Sequence, residues 1–177
     1  SGAILTDSFA TTLNNQARAL AELANEYVGV NFVYENRQFT RINVSRRTDS
    51  VFLFGDNTND RLVTKHEPSS TQAVIRNLPN AIGIDTKKDR GTSESSYFTD
   101  DDFEVFKARV DEALLEAKQS NKIIVYPTSG IGTGKADLKK RAPKLFAYLE
   151  DQIDKLKSNQ LIAGEEVRLP HYSFKDR

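Results

Sequence analysis

The chain has 177 residues, 38% of them apolar and 28% charged, with twenty-five basic residues balanced by twenty-five acidic ones. This length builds an adequate core as one domain, and the zero net charge gives duplex nucleic acid no basic footprint to bind. There is no cysteine and only His66 and His171, so disulfides, thiolate chemistry and metal sites are not expected, and no cofactor is implied.

The first segment, Thr6 to Tyr27, spaces Phe9, Leu13, Ala17, Leu20, Leu23, Ala24 and Tyr27 three or four apart, the pattern of an amphipathic helix. Val30–Tyr34 and Phe39–Val44 flank a polar tetrad and predict a β-hairpin. Val51-Phe52-Leu53-Phe54 is apolar at every position, which fits a strand covered on both faces, and it stops at Gly55-Asp56-Asn57. Ser70–Asn77 has helical spacing and Ala81–Ile84 predicts a short buried strand. Thr99–Ser120 predicts a helix, capped by Thr99 and supported at its positive end by Asp100, Asp101 and Asp102.

Ile123–Tyr126 predicts another buried strand, and Ala142–Leu156 a helix with Pro143 in its first turn. Val167–Leu169 reads as an edge strand before Pro170. No apolar run approaches the ~20 residues of a membrane span, and no leader-type segment opens the sequence, so a cytoplasmic location is expected. The alternation from residue 51 onward predicts an α/β domain with a mixed or parallel sheet, whose ligands gather at the carboxyl ends of the strands.

Two loops fall at those ends, Gly55-Asp56-Asn57 and Ser129-Gly130-Ile131-Gly132-Thr133-Gly134. In the second, glycine permits positive φ and close approach of the backbone, so successive N–H groups can form an anion-binding nest. The named phosphate motifs fail: Ser129 stands where a Walker A loop needs glycine, Ala136 where it needs a hydroxyl, and the glycines are spaced G-x-G-x-G, which is not the dinucleotide fingerprint. In the first loop, Asp56 and Asn57 offer a carboxylate and an amide that can hold a ribose hydroxyl or orient a water. Both loops also have a bland reading, an ordinary strand-to-helix turn and an Asx turn.

The order of these elements, with Phe54-Gly55-Asp56-Asn57, Asn80-Ala81-Ile82-Gly83-Ile84 with Thr86-Lys87, and the run Tyr126–Gly134, resembles the macro domain and its phage-encoded relatives. The resemblance spans about residues 50 to 157. It implies a three-layer domain with a central mixed sheet flanked by helices, extended by the N-terminal helix and hairpin (6–49) and followed by a tail (158–177), all in one domain over 1–177. It further implies binding of an ADP-ribose-like nucleotide, with Ser129, Gly130, Ile131, Gly132, Thr133 and Gly134 around a diphosphate and Gly55 and Lys87 beside it. Asp56 and Asn57 would be catalytic if an ADP-ribosyl bond is hydrolysed. In place of the further glycines expected after the first loop, this chain carries Thr58–Ser69, where Arg61, Lys65 and His66 can reshape the cleft.

Tyr97 and Phe98 are expected to staple the following helix rather than stack on a base. Arg37, Arg41, Arg46 and Arg47, and separately Lys139, Lys140, Arg141 and Lys144, form two basic clusters that would make a polyanion patch only if they met. The rival to nucleotide binding is a non-enzymatic phage protein acting on a host partner in the host cytoplasm, with a structural glycine loop and a contact surface on the N-terminal helix or hairpin.

Overall fold

The run Val51-Phe52-Leu53-Phe54 leaves no face for water, and in the computed structural model, which describes residues 8–17, 31–63, 69 and 71–166, it lies in a strand buried on both sides. The strands are β1 (Asn31–Glu35), β2 (Ser50–Asn57), β3 (Ala81–Lys87) and β4 (Ile123–Pro127). They form a four-stranded sheet in the order β1-β4-β2-β3, with every pairing parallel. Among the described residues the sheet is therefore parallel, one of the two forms the alternation predicted, and not the mixed sheet that the resemblance implies. Each strand's carboxyl end consequently points to the same edge.

Alternation along the strands sorts the core into two halves. Val51, Leu53, Ile82, Ile84, Ile124 and Tyr126 face α4 (Phe103–Gln119) and α6 (Pro143–Lys157). Phe52, Phe54 and Val125 face the opposite way, against Phe39, Val44, Ala73 and Ile75. The result is three layers, helices α4 and α6 on one face, and α2 (Arg41–Arg46) with the 3₁₀ turn Gln72–Ile75 on the other. Each fully buried Phe or Leu in these layers contributes about 1.5–3 kcal/mol.

Caps explain where the helices start. Thr99 accepts from the Asp101 amide at 3.3 Å while Asp102 accepts from the Thr99 amide at 2.9 Å, a capping box that begins a 3₁₀ turn, Asp100–Asp102, leading into α4. Phe98 packs on Phe106 with ring centres 6.0 Å apart, and Tyr97 is buried. Pro143 opens α6. Three short helices, α3 (Thr58–Arg61), α5 (Leu138–Arg141) and α7 (Ala163–Glu166), complete the later part of the chain.

The hairpin does not form. Its first run is β1, which pairs with β4, and its second is α2, because Thr40 Oγ1 accepts from the Asn43 amide at 3.2 Å and nucleates a helical turn. Strand-like alternation over Arg41-Ile42-Asn43-Val44 was misleading: Ile42 is 63% exposed and Val44 alone in α2 is buried. Ser70–Asn77, expected as a helix, is reduced to the 3₁₀ turn Gln72–Ile75. Helix α1 covers residues 8–17 with all its side chains exposed, Phe9 at 65% and Leu13 at 48%, so this part of the N-terminal helix does not pack on the sheet. Residues 18–30, His66 and the expected edge strand Val167–Leu169 lie outside the described residues.

Asn80, only 7% exposed, ties the middle of this layer together. Its Nδ2 donates to the carbonyls of Val44 at 2.8 Å and Arg47 at 3.0 Å, anchoring the end of α2 beside the start of β3. Asn80→Ala leaves both carbonyls without that donor and is expected to cost about 1–3 kcal/mol, read as a lower urea midpoint with an unchanged slope; an unchanged midpoint would show that the clamp is energetically idle.

Candidate functional site

The parallel sheet delivers the ends of β2, β3 and β4 to one edge, and a cavity of about 400 Å³ opens there, a size within the range of small-molecule sites. One wall is the end of β2 with the segment that follows it, including Gly55, Asp56, Asn57, Asp60, Gln72 and Arg76. The other is the glycine loop, where Gly130, Gly132, Thr133, Gly134, Lys135 and Ala136 line the space. Thr86, Lys87 and Arg90 contribute from the end of β3. The two loops singled out in the sequence thus share one crevice.

Gln72 joins them. Its Oε1 accepts from the Gly55 amide at 2.9 Å, and its Nε2 donates to the Gly130 carbonyl at 2.8 Å and to Ser129 Oγ at 3.4 Å. The close fit leaves little room at residue 55, where a Cβ would stand 3.4 Å from Gln72 Oε1 and 3.6 Å from Ile131 Cγ2. Nothing in the local sequence marks Gln72 for this task, since it reads as one polar residue on an amphipathic turn.

The glycine loop has the conformation its composition requires. Gly130 and Gly132 take φ of +88° and +80°, a region closed to most other residues. A Cβ on Gly132 would also approach Leu138 Cδ2 to 3.0 Å, whereas one on Gly134 would meet nothing within 4 Å. The loop's own bonds run from the amides of Gly130, Asp137 and Leu138 and from Thr133 Oγ1, which donates to the Ser129 carbonyl at 2.7 Å. Among the described residues, no acceptor meets the amides of Gly132, Thr133, Gly134, Lys135 or Ala136. Lys135 is exposed and makes no ion pair among the described residues. Ile131 is fully buried in the core and Ser129 stands outside the cavity lining, so of the six expected loop residues these two support the site from behind.

Asp56 and Asn57 are placed differently from a pair that works on a water. The Asp56 carboxylate has no exposed surface and pairs with Arg76, whose Nε donates to it at 2.9 and 3.1 Å and whose Nη2 lies 2.5 Å away. Gly83 on the neighbouring strand makes room for it, because a Cβ there would stand 3.0 Å from Asp56 Oδ2. The Asn57 side chain caps α3, accepting from the Asp60 amide and donating to Asp60 Oδ2, both at 2.8 Å. Each side chain is already engaged within the fold. Lys87 is engaged too: its Nζ donates to the Gly91 carbonyl at 2.7 Å and sits 4.6 Å from the Tyr97 ring centre.

Asp60 closes a chain of charges. Arg90 Nε donates to its Oδ2 at 2.5 Å, and Arg76 Nη2 lies 3.7 Å from the same oxygen. Burial pushes the Asp60 carboxyl up, but the bonds from Arg90 and Asn57 and the two guanidinium charges outweigh it, and the pKa falls below the ordinary 3.8. The network has one loose end. Arg76, 3% exposed, has a buried Nη1 with no hydrogen-bond partner among the described residues, a cost of about 1–3 kcal/mol unless something accepts from it.

The two basic clusters do not meet. Val44 and the rest of α2 sit on one face of the sheet, Leu138 and α5 on the other. Arg41 is used internally, donating to the carbonyls of Val74 and Arg76 at 3.0 and 2.7 Å. Arg141 stacks 3.6 Å from the Tyr97 ring centre. Among the described residues there is no cluster of metal-ligating side chains, and no helix is long and apolar enough to cross a membrane.

The chain belongs to the family described as "Family of unknown function (DUF7831)", whose pattern matches residues 34–152. That stretch takes in the last residues of β1, all of β2, β3 and β4, both walls of the cavity and most of α6. No curated protein and no solved structure matches the chain.

Gln72→Leu, which removes both bridges while keeping the size of the side chain, is expected to destabilise the fold by about 1–3 kcal/mol and to speed hydrogen exchange in residues 129–134 more than in β3; uniform exchange would contradict the bridging role. Because the native pKa of Asp60 is below its ordinary 3.8, its contribution is complete above that value and is lost as pH falls through the lower native one. Asp60→Asn should therefore flatten the dependence of melting temperature on pH below the ordinary 3.8. An acid limb as steep as in the parent chain would assign that limb to other carboxylates.

Proposed function

We propose that the chain binds a phosphorylated nucleotide of the ADP-ribose type in the cavity at the carboxyl ends of β2, β3 and β4. The phosphate rests on the main-chain amides of Gly132 to Ala136, with Lys135 supplying charge. The observation that carries this reading is a row of cavity-lining residues whose main-chain amides meet no acceptor among the described residues. A concave array of main-chain N–H groups favours an anion without any need for a Walker-type lysine. The likeness to the macro domain points to the same class of ligand.

Binding without turnover is the form of this reading that the geometry supports. Asp56 and Asn57, the residues expected to handle a water, are spent on Arg76 and on the cap of α3. Their work is to hold the wall in place. Hydrolysis of an ADP-ribosyl bond would need one of those pairs to open. The rival, a protein-contacting role centred on α1, rests on the exposed Phe9 and Leu13, and it gives no reason for unanswered amides in a cavity elsewhere in the chain.

Calorimetry with ADP-ribose, ADP and NAD tests the proposal. The expected result is binding that Gly134→Glu weakens by at least about tenfold, since a side chain at 134 meets no protein atom within 4 Å and places a carboxylate where the phosphate should sit. Gly132→Glu is the poorer choice because its positive φ and the nearby Leu138 would strain the fold. Absence of heat across the panel, or full affinity in Gly134→Glu, would overturn the assignment.

A further inference from the structure

We infer that the outer edge of β1 is an interface between two copies of this chain, joined antiparallel about Val33 so that their two sheets run on as one. This inference is independent of the nucleotide reading. An open sheet has two edges, and this fold treats them differently. At the β3 edge the Gly83 carbonyl accepts from Arg109 Nε at 3.1 Å and from its Nη2 at 2.7 Å. Just beyond, Lys87 bridges to Tyr97 and the Lys88 amide donates to the Ser96 carbonyl at 2.9 Å. That edge is covered.

The β1 edge is not covered by any described residue. Strand β1 pairs with β4 in one unbroken register, Asn31 beside Ile123 through Glu35 beside Pro127, and the Glu35 carbonyl accepts from the Thr128 amide at 3.0 Å. Main-chain groups of successive residues turn to opposite sides of a strand, so Asn31, Val33 and Glu35 spend theirs on β4, and those of Phe32 and Tyr34 point outward. Among the described residues nothing pairs with these outward N–H and C=O groups. The strand carries no lysine, proline or bulge to blunt it, and Val33 and Tyr34 are 38% and 50% exposed. Such an edge is a template for another strand.

The occupant that fits is the same strand reversed. A two-fold axis through Val33 sets Phe32 of each copy opposite Tyr34 of the other, and because both residues point outward, each such pair exchanges two main-chain hydrogen bonds. The side chains agree with this register. Aromatic rings meet across the strands, and Asn31 stands opposite Glu35, amide against carboxylate. Glu35 is the one charged residue of β1, and its two copies lie about 13 Å apart along the strands, so like charges do not oppose. Val33 faces Val33 of the second copy in the kind of pair whose side chains lie closest. The two cavities then open at opposite edges of the joined sheet.

Sedimentation of the full chain over a dilution series tests the inference. The parent should give a dimer at the concentrated end. Val33→Glu and Val33→Lys each set like charges against one another across the axis and should each give a single copy, and an equimolar mixture of the two should restore the dimer. A parent that stays single throughout, a dimer that survives either substitution, or a mixture that fails to pair overturns the inference. Circular dichroism checks that the charged variants fold. If they do not, cysteine decides, because the chain has none of its own. Val33→Cys should cross-link two copies under mild oxidation, whereas Asn31→Cys, about 13 Å from its own copy along the strands, should not. Absence of cross-linking at 33, or equal cross-linking at both positions, overturns the inference.

Discussion

The site depends on a single side-chain amide. Gln72 accepts from the Gly55 amide and donates to the Gly130 carbonyl, so one group fixes the loop after β2 against the loop after β4. Those strands are neighbours at the centre of the sheet, and without a bridge their loops would be free to part. An uncharged amide suits this position because it is donor and acceptor at once. Glutamate of the same shape could only accept, and would face the Gly130 carbonyl with a negative charge.

Around that bridge the acidic residues of the site serve as scaffold. A buried ion pair such as Asp56–Arg76 adds little net stability, yet removing either member is expensive, typically about 3–5 kcal/mol. The pair is continued by Asp60 and Arg90, and Asn57 holds Asp60 through its own side chain and cap. A wall built this way is stiff, which suits a binding surface that must keep its donors in place before the ligand arrives.

Much of the architecture was legible because burial on both faces imposes a strong pattern. Val51–Phe54, Ala81–Ile84 and Ile123–Tyr126 carry nearly unbroken apolar runs, and all three lie in strands. Helices α4 and α6 were equally plain from their apolar stripes and from Thr99 and Pro143. The hairpin failed where the signal was a short alternation, since Thr40 capping and the burial of Val44 alone outweighed the strand-like pattern of Arg41 to Val44. The glycine loop was legible as backbone chemistry. Its partners were not: Gln72 and Arg76 act across 17 to 58 residues of sequence, and no local period encodes such contacts. Asp56 was singled out for its chemistry, but only the fold shows that Arg76 has already claimed it.

The central claim concerns main-chain amides, so the most direct measurement observes them one by one. In a titration of the ¹⁵N-labelled chain with ADP-ribose followed by nitrogen–proton correlation spectra, the account predicts that the amide signals of Gly132, Thr133, Gly134 and Lys135 move together and saturate, while those of β1 and of α4 hold still. Signals of the loop that remain fixed while the ligand binds elsewhere would contradict it.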